Sequence, residues 1–114
     1  MEQASIFTKI INREIPAEII FENDNLIVIN NIHPQAPIHW LIIPKIPIPT
    51  LHDLLQDVKN KDLLWELLST AGTMAEKAGI DKSGYRVSIN VGEDGGQTIF
   101  HLHIHLLGGK KLEE

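Results

Sequence analysis

The chain has 114 residues, no cysteine, 43% apolar and 22% charged residues, and a formal net charge of −5. That length fits one domain with one core, and the missing cysteines exclude disulfides, thiolate catalysis and cysteine-based metal sites. The acidic balance argues against a nucleic-acid polymer as ligand, which needs a basic face, but leaves room for a single nucleotide.

In chain order, Ser5 is placed to cap a short helix over Ile6–Asn12, which Pro16 closes. Ile19–Glu22 and Leu26–Asn30 are β-branched runs around the turn cluster Asn23-Asp24-Asn25 and read as a hairpin. Pro34 and Pro37 bracket a loop, Ile38–Ile43 reads as a buried strand, and Pro44, Pro47 and Pro49 keep the following stretch extended. Thr50 with Asp53 resembles a capping box for another short helix. Leu63, Leu64, Leu67, Leu68, Ala71, Met74, Ala75 and Ala78 form a stripe at helical spacing, with Asn60 as N-cap and Gly79 as the stop. Tyr85–Val91 and Thr98–Leu107 both alternate with period two around the Gly-rich loop Gly92–Gln97, a second hairpin. Strands joined by hairpins plus one long helix predict an α+β domain on an antiparallel sheet. No segment approaches the ~20 apolar residues of a membrane span. The N-terminus lacks the features of a signal peptide, so a cytoplasmic location is expected.

His101-Leu-His-Ile-His105 carries three of the six histidines at alternate positions. On a strand these share one face, displayed outward, while Phe100, Leu102, Ile104 and Leu106 face the core. Three readings compete: a solvated polar face, a metal site built on alternate histidines, and nucleophilic catalysis at phosphorus. Adjacent imidazoles disfavour one another's protonation, which keeps a nucleophile neutral near pH 7. Same-face neighbours are ~6.6–6.8 Å apart, so only the middle residue, His103, can attack while its flankers contact oxygens or the leaving group. Gly92, Gly95 and Gly96 allow backbone N–H groups to converge as an anion-binding nest, with Gln97 and Thr98 as side-chain donors. From its position alone His39, at the start of the third strand, reads as structural rather than catalytic, and His33 and His52 read as surface residues.

His101-Leu-His-Ile-His-Leu-Leu107 matches the pattern His-φ-His-φ-His-φ-φ, with φ apolar, and resembles the histidine triad (HIT) superfamily. Asn90–Thr98, Leu107-Gly-Gly109 and the N-terminal matches Ile6-Phe7, Lys9-Ile10-Ile11, Glu14–Ala17, Pro34–Pro37, His39 and Ile43–Lys45 are similar to its HINT branch of nucleoside phosphoramidases. The resemblance implies a five-stranded antiparallel sheet with one long and one or two short helices, and a homodimer. It implies hydrolysis of purine nucleoside 5′-phosphoramidates and related adenylates without a metal or other cofactor. By position, His103 is then the nucleophile; His105, Asn90 and Thr98, beside Gly96 and Gln97, contact the phosphate; and His101 and His39 support the nucleophile. Phe7, Ile10, Ile15 and Ile32 would line the base pocket. Asn31 stands where the family usually has an acid gripping the ribose hydroxyls, and Pro47 where a histidine often follows Pro-Lys. A nucleotide-binding adaptor and a dinucleoside polyphosphate hydrolase are the alternative functions.

Overall fold

The computed structural model describes residues 5–114. Helix α1 (Ile6–Ile11) is capped by the Ser5 hydroxyl, which accepts from the Thr8 N–H. Strands β1 (Ile19–Glu22) and β2 (Leu26–Asn30) form the expected hairpin; the Asn23 carboxamide oxygen accepts from the N–H groups of Asn25 and Leu26 and closes the turn. Strand β3 (Ile38–Pro44) runs through the middle of the sheet, and Thr50 caps the one-turn α2 (Leu51–Leu54) by accepting from the Asp53 N–H. Helix α3 (Lys61–Ala78) ends at Gly79, whose φ of 75° is the left-handed conformation that favours glycine. Strands β4 (Tyr85–Ser88) and β5 (Ile104–Gly108) complete a five-stranded sheet of order β1-β2-β3-β5-β4, antiparallel throughout.

Three expectations are corrected. Asn60 makes no side-chain cap to α3: a 3₁₀ turn over Val58–Asn60 leads into the helix, and the Asn60 amide instead donates to the Leu54 carbonyl. The second hairpin is shorter than its alternation suggested, with β4 stopping at Ser88 and β5 starting only at Ile104. The segment ahead of β5 is irregular, so Phe100 is 51% exposed rather than in the core, and His101 and His103 are buried rather than displayed.

The sheet has two differently covered faces. On one, Leu26, Val28, Ile42, Ile104 and Leu106 pack with Leu67, Ala71, Met74 and Ala75 of α3. On the other, Ile27, Ile29, Leu41 and Ile43 pack with Phe7 and Ile10 of α1. Alternation along paired strands places His39, Leu41, His105, Leu107, Arg86 and Ser88 on this second face. The short α1 covers it over β2, β3 and the segment ahead of β5, and the β5–β4 side stays open as a cleft. Just past the end of β5 the chain favours glycine: Gly109 has a φ of 93°, and a Cβ there would lie 2.9 Å from the Pro37 Cβ.

Candidate active site

Each histidine of the cluster is fixed by groups far away in sequence. The His103 Nδ1–H donates to the His101 carbonyl at 2.8 Å, because a carbonyl only accepts. The neutral ring therefore keeps the lone pair on Nε2. The His101 Nε2–H likewise donates to the Pro44 carbonyl at 2.8 Å, and its Nδ1 faces the Ser5 and Thr8 hydroxyls, each at 3.2 Å. His39 Nδ1 accepts from the Gln35 backbone N–H at 3.1 Å, so its proton sits on Nε2 and is donated to His105 Nδ1 at 2.9 Å. That leaves the His105 Nε2–H as a free donor. Phe7 meets the His103 ring edge-on, with centroids 4.9 Å apart, and the His103 and His105 centroids are 5.2 Å apart.

Burial pushes the pKa of all four imidazoles down. His105 falls to about 4, first by desolvation and then by repulsion from His103 and His39. The mutual suppression expected of neighbouring imidazoles is thus present for His105 and, from His103, for His101. At neutral pH the cluster is uncharged, the state a nitrogen nucleophile requires.

His103 and His105 border a cleft of about 390 Å³, with His39, Leu107 and Gln35 at one end and Asn90, Gly96 and Thr98 at the other. Arg86 and Ser88 complete its wall. Sequence reasoning passed over Gln35, Arg86 and Ser88. The period-two run Arg86, Ser88, Asn90 carried the signal, since it pairs with the strand bearing His105 and shares its face.

The Gly-rich loop differs from the expected anion nest. The Gly96 N–H donates to the Glu93 carbonyl, the Gln97 N–H to the Gly92 carbonyl, and the Gly92 N–H to the Gln97 side-chain oxygen. These donors are spent on the loop itself. Gln97 is buried, and its amide donates to the carbonyls of Pro49 and Ile99, so it latches the loop and does not line the cleft. Asn90 bonds the Gly95 carbonyl at 2.9 Å while still facing the cleft. The side-chain donors that line the cleft are Thr98, Asn90, Ser88, Arg86 and His105.

Of the residues expected around the base, Ile10 and Ile15 line a separate depression of about 290 Å³ between α1 and β1. Phe7 is buried against His103, and Ile32 is 81% exposed beyond Asn31. The Asn31 carboxamide oxygen accepts from the His33 N–H, which turns its NH₂ toward His39 Nε2 at 3.3 Å. Among the described residues, no group of three His, Asp or Glu side chains is arranged to hold a metal ion.

The strands and the cleft that carry this buried histidine cluster lie within a HIT domain, whose family model matches residues 12–112. The chain belongs to that family. It is 43% identical over 112 residues to the purine nucleoside phosphoramidase of Escherichia coli (strain K12), covering 98% of this chain and 92% of that one. Among solved structures it is similar to a HIT family hydrolase from Legionella pneumophila, with TM-score 0.92, 41% identity and 96% of both chains covered. A histidine triad protein from Clostridium difficile aligns with TM-score 0.91 and 39% identity over 100% of this chain and 98% of that one.

Proposed function

We propose that this protein hydrolyses purine nucleoside 5′-phosphoramidates and related adenylates through a nucleotidyl-His103 intermediate. The observation that carries the reading is the Nδ1–H bond from His103 to the His101 carbonyl, which commits Nε2 to attack. In the first step Nε2 bonds to phosphorus and the P–N bond breaks. The amine leaves with the electron pair and takes up a proton from solvent. The His103 ring then carries positive charge, and the His101 carbonyl, already accepting its Nδ1–H, stabilises it more strongly than the neutral ring. The His105 Nε2–H and the hydroxyls of Thr98 and Ser88, which line the cleft, donate to the phosphoryl oxygens in this reading. In the second step water attacks phosphorus, the P–N bond to His103 breaks, the nucleotide leaves, and the proton returns to solvent. The depression holding Ile10 and Ile15, beside Phe7, suits a purine, and Asn31 the ribose. The 43% identity to a phosphoramidase supports the substrate class.

The same reading includes a cytoplasmic homodimer. Trp65 of α3 is 73% exposed, and with Leu68, Tyr85 and Val87 it forms an apolar surface on α3 and the β4 edge. Two such surfaces related by a two-fold axis would bury each other and pair the β4 edges.

Rapid-quench mass spectrometry with adenosine 5′-phosphoramidate should show one adenylyl group on His103. His103→Ala should lose turnover and keep AMP binding, and a chelator should leave the wild-type rate unchanged. A label on His101, or substantial turnover by His103→Ala, would remove the assignment.

A further inference from the structure

The catalytic cleft opens into a second one of about 420 Å³, and the two share Gln35, Arg86 and Leu107 as walls. The second is lined in addition by Lys110, Lys111 and Glu113. Three of the ten basic residues of an acidic chain thus converge on one extension of the site. Among the described residues none of the three forms a salt bridge. Arg86 donates to the Glu113 backbone carbonyl, which occupies part of a five-donor guanidinium. The one carboxylate in that wall, Glu113, leaves an excess of positive charge.

Direction gives this strip its meaning. Phe7 and Ile10 lie against the His103 side of the sheet face, under α1. Arg86 lies one same-face step past Ser88 and His105, because Ser88 pairs with His105 and Arg86 with Leu107. That step is ~7 Å. A phosphorus held at His103 and His105, with its nucleoside on the α1 and β2 side, directs its remaining substituent across the sheet toward β4, where Arg86, Lys110 and Lys111 lie.

We propose that Arg86, Lys110 and Lys111 form a leaving-group subsite that selects phosphoramidates whose amine carries a carboxylate. This rests on the phosphoramidase reading and adds a substrate class to it. A carboxylate a few bonds from the scissile nitrogen reaches the basic strip, and Arg86 can take it in a forked pair of hydrogen bonds. A cationic amine meets repulsion there. The lysines are solvent-facing, so the preference is moderate and falls with added salt.

The test uses three adenosine 5′-phosphoramidates of matched length, made from β-alanine, β-alaninamide and 1,3-diaminopropane. Wild type should turn over the carboxylate compound with kcat/KM at least five-fold above the amide, and the cationic compound below it. In Lys110→Gln/Lys111→Gln the carboxylate-to-amide ratio should fall about five-fold, and 0.5 M salt should lower the wild-type ratio similarly. A wild-type ratio at or below one, or a ratio unmoved in the double variant, overturns the subsite while leaving the phosphoramidase reading intact. No turnover of any of the three compounds overturns that reading and the subsite with it.

Discussion

His39 Nε2 lies 2.9 Å from His105 Nδ1, and the Gln35 N–H on the far side of the His39 ring decides which way the proton points. A backbone N–H cannot accept, so Gln35 forces His39 to donate and His105 to accept. The outward Nε2–H of His105 is therefore set by the loop of Gln35, two residues removed from the triad strand's own chemistry.

Replacing His39 by leucine should release the His105 tautomer while leaving the fold in place. Orienting partners of functional imidazoles are worth roughly 10- to 100-fold in activity. A kcat loss of that size is expected, with little change in KM. Long-range nitrogen–proton spectra should show the His105 proton fixed on Nε2 in wild type and distributed over both nitrogens in the variant. An unchanged spectrum would remove His39 from this role.

Asn31 turns an NH₂ toward a His39 nitrogen that is itself a donor, a contact with no proton acceptor in it. Asn31→Asp replaces that donor by an acceptor for the ribose hydroxyls. Hydrogen bonds to a charged acceptor contribute roughly 1.5–3 kcal/mol. AMP should bind about 5- to 30-fold more tightly, with a larger preference for ribose over deoxyribose. Calorimetry that shows equal affinity in a folded variant would place the sugar elsewhere.

Acid should weaken the fold through the histidines. Their native pKa values lie below the ordinary value near 6.5, so between the two values the unfolded chain binds more protons. The stability they provide is complete above pH 6.5 and is lost as pH falls; for His105 the loss runs down to about 4. One unit of depression corresponds to about 1.4 kcal/mol. Urea titrations should therefore show a loss on the order of 2 kcal/mol between pH 7 and 4.5, and His105→Asn should flatten that slope.

Gln97→Ala should act on stability and not on nucleotide affinity. It leaves the Gly92 N–H and the carbonyls of Pro49 and Ile99 without their buried partner. A cost of about 2–4 kcal/mol follows, since each buried group left unpaired costs ~1–3 kcal/mol and part is recovered by water. Equilibrium unfolding beside AMP titration separates the two effects. A large loss of affinity at unchanged stability would return Gln97 to the phosphate site.

Trp65→Glu should convert a dimer into a monomer, read by light scattering at micromolar concentration. A wild-type monomer under those conditions would mean that the exposed α3 and β4 surface has another role.

Most local signals in the sequence were sound, the Asn60 cap being the exception because its amide is drawn to the Leu54 carbonyl. Ser5, Thr50 and Gly79 cap or stop helices as their chemistry requires, and the α3 stripe is buried over Leu67, Ala71, Met74 and Ala75. Period two failed ahead of Ile104, because alternation also describes an irregular segment folded inward. What turns His101 inward is the Pro44 carbonyl and the Ser5 and Thr8 hydroxyls, all remote in the chain. Gln97 misled for the same reason: its partners Pro49 and Gly92 are found only after the loop has folded back. Arg86 and Ser88 were readable in principle, since strand pairing carries the face of His105 onto its neighbour.

Helix α1 has only six residues, too short to be helical by itself, and it persists by lying on the sheet. Yet it supplies Phe7 against His103, the proposed nucleophile, and, with Ser5 and Thr8, the hydroxyls beside His101. The proposed chemistry is thereby tied to an element whose order depends on its packing against the sheet, and local opening of α1 is the expected first step of unfolding. In rising denaturant or heat, turnover should vanish before the far-ultraviolet signal of α3 and the sheet. A nucleotide in the site would draw α1 down and bring the two transitions together.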